Sequence, residues 1–131
     1  MKITLEPDVN APGKARAHVA AHLGASHLSP GALADKVVLI TSELVTNAVQ
    51  AGATGIEVDL RVTSGRLDLV VTDDAGGWPA PTRASVDDIA GRGLSIVEHL
   101  ADSWDVARLP RGKAITASWV DRSVLHGGAE W

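Results

Sequence analysis

The sequence predicts a two-layer α/β sandwich of the α+β kind: a mostly antiparallel, mixed sheet covered on one face by helices. Three observations predict it. Two helix-period stretches come early, the β-rich runs come in pairs joined by short turns, and the order reads roughly βααββαββ, which separates helices from strands into layers. With 131 residues the chain suits one domain, and about two-thirds of its unfolded surface can be buried at that size. Residues 1–122 are read as that domain and 123–131 as a flexible tail.

Met1 to Leu5 alternates as a strand does, and Glu6-Pro7-Asp8 ends it. Ala11 to Leu23 is Ala-rich, with Val19 and Leu23 at helical spacing. Ser29-Pro30 offers an N-cap hydroxyl and a first-turn proline to a helix running to Gln50, with Gly52 as its stop. Leu33, Val37, Leu44 and Ala48 form its apolar stripe, flanked by Val38, Thr41 and Val45. Ile56 to Val62 and Leu67 to Thr72 are strands around a Thr63-Ser64-Gly65-Arg66 turn. A long loop, Asp73 to Ala90, then leads into a short helix, Leu94 to Leu100; loops of that length are usually functional. Trp104 to Leu109 and Ala114 to Val120 close the fold as an antiparallel pair turned at Pro110-Arg111-Gly112.

Composition excludes several classes. There is no Cys, so disulfides and thiolate metal sites are out. The net charge of −4 and the lack of a Lys/Arg run argue against a phosphate-backbone grip on nucleic acid. No run approaches the roughly twenty apolar residues that span a bilayer. The first twenty residues carry charges and prolines where a signal peptide has its apolar stretch, so the expected compartment is the cytoplasm.

Three polar groupings stand out. Glu43 and Asn47 lie one turn apart on one face of the long helix; periodicity alone reads that face as solvated, while Leu39 and Ile40 beside it argue for partial cover. Asp73-Asp74-Ala75-Gly76-Gly77 is either an acceptor presented at a strand end or a plain Asx turn. Gly91-Arg92-Gly93-Leu94 opens a helix, where backbone N–H groups and the helix dipole suit an anion. His18 and His22 are four apart but lack a visible third ligand.

In order and spacing these groupings resemble the ATP-binding domain shared by gyrase, heat-shock protein 90, histidine kinases and the mismatch-repair MutL proteins. Ser42 to Val49 is similar to the N box of the single-domain serine/threonine kinases that act as bacterial anti-sigma factors. Val71 to Gly77 is similar to their first glycine box, and Gly91 to Val97 to their second. The resemblance implies the left-handed (Bergerat) α/β sandwich, with ATP and Mg²⁺ as cofactors. It implies that Asn47 coordinates Mg²⁺, Glu43 is the general base, Asp73 accepts from the adenine amino group to choose ATP over GTP, and Gly77 leaves room for the base. The segment from Asp74 to Ala90 would be a lid over phosphates held at Gly91, Arg92, Gly93 and Leu94. Ala75 stands where the pattern has a glycine, and no Thr directly follows Gly112 or Lys113; Thr116, further along the closing strand, is the residue left for nucleotide contact. The partners implied are a sigma factor and a STAS-type anti-anti-sigma protein, with a possible homodimer and with no direct nucleic acid or membrane contact. Arg16, on the first helix, is a candidate partner contact. The competing reading is a module that kept the fold and lost phosphotransfer.

Overall fold

The computed structural model describes residues 1–25, 31–63, 65–75 and 95–120. Its elements are β1 (Lys2–Leu5), α1 (Ala11–Ala25), α2 (Ala32–Gln50), β2 (Ile56–Thr63), β3 (Arg66–Asp73), α3 (95–100), β4 (Ser103–Arg108) and β5 (Lys113–Val120). The sheet order is β1-β2-β3-β5-β4, and all four pairings are antiparallel. The sheet described is thus wholly antiparallel, where a mixed one was expected. The tail from 123 onward lies outside the described residues.

Side chains alternate across the sheet as the pleat requires. Ile56, Val58 and Leu60, then Leu67, Leu69, Val71 and Asp73, then Lys113, Ile115, Ala117 and Trp119 are buried on the face that meets the helices. The other face carries charge, with Arg61 paired to Asp59 at 2.8 Å and Arg66 to Asp68 at 3.0 Å. From the helical layer, Ala11, Ala15, Val19 and Leu23 of α1 and Val37, Ile40, Leu44, Val45 and Ala48 of α2 complete the core. With no Phe or Tyr, this core is aliphatic apart from Trp119, each fully buried Leu, Ile or Val contributing about 1.5–3 kcal/mol.

α2 begins later than the Ser29-Pro30 signal suggests. Gly31 is its N-cap, with φ 77° and no side-chain cap bond, and a left-handed residue interrupts a right-handed helix path. Ser29 and Pro30 lie outside the described residues. The far end is as expected: Gly52 has φ 85°. Its N–H donates to the Val49 carbonyl at 3.1 Å and that of Ala53 to the Ala48 carbonyl at 3.1 Å, the paired bonds of a Schellman stop. α3 is held by Val97, which is fully buried, and by the Trp119 indole N–H, which donates to the Leu100 carbonyl at 2.8 Å. No helix among the described residues is long and apolar enough to cross a membrane.

Candidate functional site

Glu43 and Asn47 are both half-buried on α2, so their face is not the open, solvated one that periodicity alone suggests. Ile40 beside them is fully buried while Leu39 is 43% exposed, which shows where that cover ends. Arg16, read as a candidate partner contact, reaches across from α1 and donates to Ser42 Oγ at 2.7 Å. It ties the two helices together next to Glu43.

The turn after α2 is fastened to the end of β3. Asp74 Oδ1 accepts from the backbone N–H groups of Thr54 at 2.7 Å and Gly55 at 2.9 Å, and Oδ2 accepts from the Thr54 hydroxyl. Asp74 was expected to begin the lid; it is instead an anchor. Its partners lie about twenty positions away in the chain, so no local signal marks it. The Thr54 hydroxyl, then the Gly55 and Thr54 amides, lower its pKa from 3.8 to about 2. A depressed carboxylate pKa contributes stability that is present above the ordinary value and lost as pH falls through the folded one. Asp74→Asn should therefore melt below the wild type at pH 7, with the gap narrowing as pH falls from about 4 toward 2. Melting curves across that range check it; a gap that ignores pH would show that the charge is not what holds the turn.

The anchor brings the C-terminal end of α2 toward Asp73, the last residue of β3, whose side chain faces the helical layer. Asp73 is buried, and both of its carboxylate oxygens have partners. Oδ1 accepts from the Ala75 N–H at 2.9 Å, which is the Asx-turn bond considered from sequence. Oδ2 accepts from Lys113 Nζ at 2.8 Å, and Lys113 pairs in register with Asp73 across the β3–β5 ladder. The sequence pattern around Gly112 and Lys113 assigns Lys113 no role. The signal available was its phase, since it alternates with Ile115, Ala117 and Trp119 on a buried face. Gly112, with φ 86°, precedes it, and a Cβ there would stand 1.8 Å from the Asp73 carbonyl oxygen.

Thr116 is not brought to this place. It pairs with Val70 and Asp105 and lies an odd number of positions from Lys113, so the pleat turns it to the sheet's other face. It therefore does not join Asp73 and Lys113 on the helix-facing side. A cleft of about 280 Å³ lies at the strand ends, where Asp73, Asp74 and Gly55 line it together with Thr4, Glu57, Thr72 and Arg111, and neither Glu43 nor Asn47 is among its lining residues. Gly77, Gly91, Arg92, Gly93 and Leu94, with the remainder of the lid, lie outside the described residues.

The donor set on α2 fits a magnesium nucleotide. Asn47 brings an amide oxygen and Glu43 a carboxylate, both hard donors, and Mg²⁺ needs few of them because it keeps waters and bridges phosphates.

A profile of the histidine kinase-like ATPase domain matches residues 5–119. Among curated proteins none matches. The structure of the RsbU and RsbW domains of Rv1364c from Mycobacterium tuberculosis superposes with a TM-score of 0.73 at 24% identity, covering 92% of this chain and 32% of that one. The histidine kinase domain of the blue-light activated histidine kinase EL346 from Erythrobacter litoralis gives a TM-score of 0.53 at 20% identity, covering 86% of this chain and 60% of that one. This chain thus spans less than two-thirds of either neighbour, and at those identities the likeness shows the fold. The match over residues 5–119 shows the family: the chain belongs to the histidine kinase-like ATPase domains.

Proposed function

We propose that the chain binds ATP with Mg²⁺ and transfers the γ-phosphoryl group to a serine or threonine hydroxyl of a protein partner, as an anti-sigma-type kinase of the cytoplasm. In this reading it holds a sigma factor in one state and phosphorylates a STAS-type antagonist in another. What supports it is the half-burial of Glu43 and Asn47, one turn apart, on the helix whose end is anchored to the Asp73 strand end. A carboxylate at that spot suits a base, which binding alone does not require. The likeness to a structure that includes an RsbW domain supports the partner class.

Asn47 would help hold the magnesium ion, whose chemistry there is to neutralise phosphate charge. Asp73 would meet the base edge, and the backbone from Gly91 to Leu94 would hold the phosphates at the start of α3. Glu43 takes the proton of the acceptor hydroxyl as its oxygen forms a bond to the γ-phosphorus. The bond from that phosphorus to the β–γ bridging oxygen breaks, and ADP leaves.

Calorimetric titration with ATP, with and without Mg²⁺, is the first test, and saturable magnesium-dependent binding is the expected result. Glu43→Gln should keep that binding and lose phosphotransfer by about 10²–10⁴-fold. Unchanged turnover would remove Glu43 as the base. One observation favours the second reading, a module without phosphotransfer: the Asp73 carboxylate already has Lys113 and Ala75 as partners. Absence of ATP binding at high concentration would decide for it.

A further inference from the structure

The Asp73–Lys113 pair is almost wholly withdrawn from water, with side chains 3% and 9% exposed. Such a pair is seldom better for stability than packed hydrocarbon of the same volume, because both ions lose their hydration. It stands at the edge of an apolar layer, at the ends of two neighbouring strands, where recognition is a better account of it than stability.

Resting on the reading that Asp73 meets the edge of a nucleotide base, we propose that Lys113 sets the base preference, so that a 6-oxopurine nucleotide such as GTP binds about as well as ATP. A buried carboxylate alone selects a base edge that donates, such as the 6-amino group of adenine, and repels a carbonyl oxygen at the same place. An ammonium beside it reverses the second effect. Guanine presents O6 as an acceptor, with N1–H and N2–H as adjacent donors, and lysine is a common partner of O6. A carboxylate has about four lone-pair sites. Among the described residues, Ala75 takes one on Oδ1 and Lys113 one on Oδ2, which leaves acceptor capacity there for N1–H and N2–H. The ammonium carries three donors on a flexible stem, so it can hold Asp73 and reach O6 at once. Adenine suits the same pair, its amino group donating to Asp73 and its N1 accepting from Lys113. A site that accepts and donates side by side therefore forgoes the discrimination of about 10⁴-fold that a one-sided polar site can reach.

The test is a pair of titrations, magnesium-ATP and magnesium-GTP, on the wild-type chain, Lys113→Met and Lys113→Thr. The wild type should bind both nucleotides with affinities within about tenfold of each other. Lys113→Met should shift the preference toward ATP by about 100-fold, the scale of losing one good base contact. The preference is a ratio measured on one sample, so a partly unfolded variant still reports it, and Lys113→Thr gives a second, smaller uncharged side chain should Met fail to fold. A wild-type preference for ATP above about 100-fold, or the same preference in both variants, would overturn the role of Lys113 while leaving the ATP site standing. No saturable binding of either nucleotide by the wild type would overturn the ATP site and this proposal together.

Discussion

Gly112→Ala should lower the stability of the domain by about 3 kcal/mol or more, from two effects that add. Gly112 sits at φ 86°, a conformation that costs a residue with a Cβ about 1–3 kcal/mol. The added Cβ would also stand 1.8 Å from the Asp73 carbonyl oxygen and 2.7 Å from the Asp74 Cα. Both contacts are with backbone, so relief requires moving a strand end and not a side chain. Strain of that kind is typically another 1–3 kcal/mol. In a domain of this size the melting temperature should fall on the order of 10 °C, and thermal unfolding followed by circular dichroism measures it. Because the clash falls on Asp73 and Asp74, any nucleotide affinity should fall along with stability. A drop below about 2 °C would show that the β4–β5 turn does not approach β3 this closely.

Asp73→Ala is expected to cost about 3–5 kcal/mol, because it leaves the Lys113 ammonium buried without its carboxylate. The cause is the orphaned charge, which gives the prediction a sharp form. The double variant Asp73→Ala/Lys113→Met replaces the pair with hydrocarbon and should recover much of the loss. Urea unfolding at neutral pH of the wild type, the single and the double variants measures the coupling between the two sites. A double variant no more stable than Asp73→Ala would show that the orphaned Lys113 charge is not the cause of the loss.

The layering was legible in the sequence because the patterns that carry it are local. Val37, Leu44 and Ala48 repeat at helical spacing, Gly65 turns one hairpin and Gly112 the other, and each appears where its pattern puts it. The start of α2 was misread because Ser29-Pro30 is a strong local signal and Gly31, immediately after it, is a stronger interruption. Within the site, Glu43 and Asn47 share a face by helix geometry alone, so their juxtaposition was readable. The Asp74 anchor and the Asp73–Lys113 pair were not, since their partners lie about twenty and forty positions away. Thr116 shares the strand face of Ala114, as its spacing implies, and that face is opposite the one that carries Lys113.

The place of β5 also bears on the order in which the domain assembles. β2 and β3 pair through a tight hairpin, and so do β4 and β5, whereas β3 and β5 meet only across the long stretch that separates Asp73 from Lys113. Short loops close early and long ones pay more entropy before contacts reward them. The two hairpins are thus natural early units, and their docking along β3 and β5 is the late step. The Asp73–Lys113 junction sits at the end of that seam, where strand pairs open more readily than in the middle. Amide exchange should accordingly run faster at this end of β5 than in the middle of β2 and β3, coupling the integrity of the site to the fraying of a strand end.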